Sequence, residues 1–149
     1  MSTQAPPPVQ GATDSVSLVL PDDPSAPSCA RQLVREVLPR WHLAGLVDDA
    51  ELVVSELVTN ALRHGLPPVV LTVWRLPVGL RIDVRDERPS LAFHDLPMHS
   101  LEGDESGRGR GIVEHVSDHC GVDESSESSK TAYAAWDRVP PVAADDLPH

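Results

Sequence analysis

Between Asp48 and Asp86 the spacing of hydrophobic residues switches from the period of a helix to that of extended chain, and this switch constrains the fold more than any other feature. From about Asp48 to His64, Ala50, Val53, Val54, Leu57, Val58 and Ala61 recur at helical spacing and make one broad apolar face. Asp48 and Asp49 favour the positive N-terminal end of that helix, and Gly65 stops it. Two strand-like runs follow, "PPVVLTVWRL" and "GLRIDVRD", joined as a hairpin around Pro77-Val78-Gly79. A helix with one wide apolar face next to a hairpin with one apolar face must bury the first against the second.

The flanking segments extend the pattern. "SVSLVLP" alternates Val16, Leu18 and Leu20 against Ser15, Ser17 and Val19, as a strand does. Pro21 to Pro27 is a break, with Ser28 as the expected cap of a helix carrying Leu33, Val34, Val37 and Leu38 inward and Arg31, Arg35 and Arg40 outward. Residues 91 to 106 lack periodicity and read as a loop. "GIVEHVSDHCG" reads as a third helix with Ile112, Val113 and Val116 on its apolar face, and "GVDES" and "KTAYAAWDR" as a closing pair of strands. The order β-α-α-β-β-loop-α-β-β predicts an α+β two-layer sandwich, a mainly antiparallel sheet covered by helices. The domain is expected over 14–138, with Pro-rich, polar tails at 1–13 and 139–149 expected to be disordered.

A net charge of −11 argues against direct binding to nucleic acid or to an anionic membrane. The longest N-terminal apolar run, Leu18-Val19-Leu20, is neither a secretion signal nor a span, and Cys29 and Cys120 read as reduced thiols, so a soluble cytoplasmic protein is expected.

Three groups of residues carry possible chemistry. On the wheel of the 48–64 helix, Glu56 and Asn60 lie about 40° apart on one flank of the apolar face, one turn from each other. In "GLRIDVRD", Leu80, Ile82 and Val84 face one way and Arg81, Asp83 and Arg85 the other, and Asp86 falls on the apolar parity. An inward carboxylate must be hydrogen-bonded or charge-paired. In "GRGRGIVEHV", Gly107, Gly109 and Gly111 bring bare backbone into the start of a helix, where N–H groups favour an anion, and Arg108 and Arg110 add local positive charge. The run matches neither a Walker loop nor a Rossmann fingerprint. A separate reading takes His115, His119 and Cys120 as zinc ligands, with the histidines at i, i+4 on one helix face.

An E-L-x-x-N-A box, an inward Asp after a strand, a glycine run opening a helix and a late strand carrying Lys-Thr together resemble the Bergerat-fold (GHKL) ATPases, whose fold is histidine-kinase-like. Within them the chain looks most like the small bacterial anti-sigma-factor serine/threonine kinases. The resemblance implies Glu56 as general base, Asn60 as the side chain holding Mg²⁺ against the phosphates of ATP, and Asp86 as the acid that recognises the adenine amino group. It also implies that Gly107, Arg108, Gly109 and Gly111 run along the triphosphate and that Thr131 helps to contact adenine. Residues 91 to 106 correspond to the lid over the nucleotide. A sigma factor or an anti-sigma antagonist protein is the implied partner, and a homodimer through the first helix the implied assembly. Where the family reads D-x-G-x-G, this chain reads Asp86-Glu87-Arg88-Pro89-Ser90, a departure that points to the alternative of a nucleotide-binding interaction module without phosphotransfer.

Overall fold

A computed structural model describes residues 9, 11–88, 105–123 and 128–138 of the chain. The tail expected at 139–149 lies outside the described residues, as do the tail expected at 1–13 apart from residues 9 and 11–13 and the expected lid up to residue 104. Strand β1 (Asp14–Leu20) leads to helix α1 (Ala26–Arg40), a 3₁₀ turn at Ala44–Leu46 and helix α2 (Val47–His64). The hairpin of β2 (Val69–Arg75) and β3 (Leu80–Asp86) follows, then helix α3 (Glu105–Val116) and strands β4 (His119–Asp123) and β5 (Lys130–Trp136). The sheet is antiparallel throughout in the order β1-β2-β3-β5-β4, so β5 returns from the edge to pair with β3.

The alternation expected in the strands sets the inner face. Leu18, Leu71, Val84 and Ala132 stand in one register row, and Val16, Val73, Ile82 and Ala134 in the next. Against them α2 lays Ala50, Val53, Val54, Leu57, Val58 and Ala61, all buried, and α1 adds Val34, Val37 and Leu38. Leu38 is fully enclosed, so its truncation to alanine removes apolar contact and leaves a void, at about 2–5 kcal/mol. Gly79 closes the β2–β3 turn with φ +104, and a Cβ there would lie 1.8 Å from the Trp136 carbonyl oxygen.

Three helix boundaries differ from expectation. Helix α1 begins at Ala26 after Ser25, so Pro27 lies inside its first turn instead of before it. Proline is accommodated there because the first N–H groups of a helix have no carbonyl to bond. Helix α3 begins at Glu105, takes the glycine run into its first turns and ends at Val116. His119 and Cys120 therefore belong to β4, and the helical i, i+4 spacing behind the zinc reading is not formed. Three bonds set this end: Ser117 Oγ donates to the Val113 carbonyl at 2.6 Å, Asp118 N–H to Ala135 at 2.9 Å, and Trp136 Nε1–H to Val116 at 2.8 Å. No described helix is long and apolar enough to cross a membrane.

Candidate functional site

The end of β3 holds the most constrained side chain. Asp86 keeps the inward parity of Ile82 and Val84 and is 2% exposed. Its Oδ1 accepts the Arg88 N–H at 2.8 Å, and its Oδ2 lies 3.8 Å from Lys130 Nζ. Burial pushes its pKa up; the bonds from the Arg88 and Leu66 N–H groups and the charges of Lys130 and Arg88 act the other way without cancelling it. A carboxylate offers about four lone-pair positions, so acceptor capacity remains for a further donor.

The C-terminal end of α2 is packed directly onto this carboxylate. A Cβ at Gly65 would stand 2.5 Å from Asp86 Cγ and 2.6 Å from its Oδ2, so only glycine admits the approach. Glu87 N–H donates to the Leu66 carbonyl at 2.9 Å, and the Arg88 guanidinium donates to the carbonyl of His64. Residues 64–66 and 86–88 are thus laced together by reciprocal bonds, which fixes the carboxylate relative to α2.

On α2 the polar residues divide by flank. Ser55 accepts from Arg31 at 3.0 Å and Glu51 pairs with Arg35 at 2.7 Å, so that stripe faces α1. Glu56 and Asn60, both half-buried, are turned about 140° from it, on the other flank of α2, and α3 also packs against α2. Measured from Gly65, Asn60 is roughly 7 Å and Glu56 roughly 13 Å back along the axis. Along the axis of α2 the order is therefore Asp86 at the Gly65 end, then Asn60, then Glu56.

The remaining expected residues divide. Gly107, Arg108 and Gly109 lie within the first turns of α3 instead of in a loop before it. Gly111 is exposed, and a Cβ there would meet nothing within 4 Å. Thr131 is not brought to the carboxylate. It stands opposite Arg85, on the other face of the sheet, whereas the residue opposite Asp86 is Lys130. A one-residue difference in register exchanges faces, and pairing with β3 decides it. Gly65, Arg88 and Lys130 are the residues that motif reasoning passed over. Lys130 carried a signal, since it is the only lysine in the chain.

The other buried acid is a structural one. Asp83, on the opposite face, accepts from Trp74 Nε1 at 3.0 Å and from Arg81 Nε at 2.7 Å, and Arg81 in turn lies over the Tyr133 ring. Among the described residues no three His, Cys, Asp or Glu side chains gather as a metal site. A single carboxamide at Asn60 suits Mg²⁺, which keeps several waters and takes most of its remaining ligands from phosphate.

Comparison with known proteins agrees with this fold. The family model of the histidine kinase-like ATPase domain matches residues 20–136. No curated protein matches the chain. A solved structure with the same fold is that of the RsbU and RsbW domains of Rv1364c from Mycobacterium tuberculosis, at 18% identity and a TM-score of 0.58. The similarity covers 85% of this chain and 32% of that one, so this chain spans about a third of its length.

Proposed function

The chain belongs to the histidine kinase-like ATPase domain family, and on that premise we propose that it is an ATP-binding regulatory protein that transfers phosphate to a serine or threonine of a small antagonist protein, like the anti-sigma-factor kinases it resembles. The observation that carries the reading is Asp86: a carboxylate buried against its own solvation, with acceptor capacity left, packed on the end of the helix that carries Asn60 and Glu56.

In this reading the adenine amino group donates to Asp86. Asn60 would hold Mg²⁺ through its carboxamide oxygen, and the ion would supply neutralising charge to the phosphates. Backbone N–H groups in the first turn of α3, with Gly107, Gly109 and Gly111 allowing close approach and Arg108 adding charge, face the triphosphate. Glu56 accepts the proton of the attacking hydroxyl as its oxygen bonds to the γ-phosphorus and ADP departs. The order base, metal-bound phosphates, transferred group follows the order Asp86, Asn60, Glu56 along α2. A sigma factor as a further partner and a homodimer through α1 rest on the same resemblance.

A second reading, a nucleotide-binding module without transfer, is favoured by one feature. Arg88 stands at the first glycine of the family's D-x-G-x-G and is tied to His64. Labelled ATP with candidate antagonists separates the two. Glu56→Gln should keep nucleotide binding and lose transfer by roughly 10²–10⁴-fold, whereas Asn60→Ala should weaken both transfer and Mg²⁺-dependent binding. Transfer by Glu56→Gln at the wild-type rate would reject the base assignment. ATP binding without transfer to any antagonist would favour the module.

A further inference from the structure

The chain's one lysine is largely enclosed. Lys130 opens β5 directly opposite Asp86, with its side chain 13% exposed and Nζ 3.8 Å from Asp86 Oδ2. An ammonium loses hydration when enclosed, and a residue held there without purpose would be a net burden on the fold. The other elements around the carboxylate bring different groups. The segment after β3 brings the Arg88 N–H and guanidinium and Glu87, the latter 3.8 Å from Arg85. The end of α2 brings the Leu66 N–H, with the exposed side chains of Arg63 and His64 in its last turn. Lys130 is therefore the enclosed cation paired with Asp86.

The protonation state of Asp86 decides what it can recognise. An ionised carboxylate only accepts, which suits the 6-amino group of adenine and opposes the 6-oxo group of guanine. A protonated carboxyl can donate and would take the 6-oxo group. Resting on the ATP reading above, we propose that Lys130 is the positioning residue that sets base preference, holding Asp86 as a pure acceptor so that the pocket takes a 6-aminopurine over a 6-oxopurine. Burial alone pushes Asp86 toward its protonated form, and the Lys130 ammonium is the strongest charge opposing it. Replacing the ammonium with a neutral side chain moves the Asp86 titration to higher pH, and adenine recognition then weakens as pH falls.

The test uses the full chain as wild type, Lys130→Met and Lys130→Arg, with ¹³C NMR of the Asp86 carboxyl in the nucleotide-free protein and titrations with ATP and GTP across pH. In Lys130→Met the Asp86 midpoint should rise. ATP binding should weaken about ten-fold on the acid side and recover at higher pH, and the ATP-over-GTP ratio should shrink. Lys130→Arg should restore the wild-type profile. An Asp86 midpoint and an ATP-to-GTP ratio that stay in place in Lys130→Met would overturn the role of Lys130 while leaving ATP binding intact. A wild type that binds neither nucleotide would overturn the ATP reading and base preference together, even if the midpoint moves. Should the methionine variant fail to fold, Lys130→Gln carries the same comparison.

Discussion

Gly65 and Gly111 are opposite cases of what a missing Cβ does. Gly65 has φ −97, which any residue adopts, so its need is for space alone: an added methyl would press on Asp86 Cγ and on the Ala61 carbonyl oxygen at 2.7 Å. Gly65→Ala should cost about 1–3 kcal/mol by overpacking, and it should also weaken ATP binding, because the carboxylate is what must move. Gly111 is exposed inside α3 with open space around it. Gly111→Ala should stabilise the fold by up to about 1 kcal/mol, since alanine is the better helix former. Urea melts and ATP titrations of both variants read these effects. A Gly65→Ala protein of wild-type stability and affinity would show that the clasp of residues 64–66 on 86–88 does not hold the carboxylate.

At the scale of elements, legibility followed how local the cause was. Helix α2 and the β2–β3 hairpin were readable because their apolar residues recur without interruption and bury one face, and Asp86 was readable as inward by parity alone. The start of α3 was not, because glycine-rich sequence has low helix propensity and reads as loop. Its end was hidden too, being set by Trp136 and Ala135 of a strand about twenty residues later. The face of Thr131 was likewise invisible, since register depends on the partner strand. The site splits the same way: Glu56, Asn60 and Asp86 lie in motifs, while Gly65, Arg88 and Lys130 matter through tertiary approach. The α1–α2 turn offers a test of local cause. His42 is exposed with φ +61, so its conformation, not its packing, matters. His42→Val should cost about 1–2 kcal/mol, because a β-branched side chain resists the left-handed region, and His42→Gly should not. Equal denaturation midpoints for the two would contradict this.

For the whole molecule, Asp86 is a place where function opposes stability. Its pKa is raised in the folded state, so at a pH between its ordinary and its raised value the folded chain holds a proton that the unfolded chain has released. Its contribution is therefore most favourable below the ordinary Asp value and is lost as pH rises through the raised one. Asp86→Asn cannot ionise and should escape that loss. Its melting temperature relative to wild type should climb over this window and then level off, and a difference that is flat or falls with pH would contradict the assigned shift. Asp83, raised mainly by burial as well, is present in both proteins and cancels from the comparison.

ATP is expected to bind with its base at Asp86. Titrations of wild type and Asp86→Ala with ATP and GTP, each with and without Mg²⁺, put this to the test. Wild type should bind ATP more tightly than GTP and more tightly with Mg²⁺ than without. Asp86→Ala, with its circular dichroism unchanged, should lose about 1–3 kcal/mol of ATP affinity, roughly five- to 150-fold. Equal ATP affinity in the two folded proteins, or no ATP binding by the wild type, would contradict it.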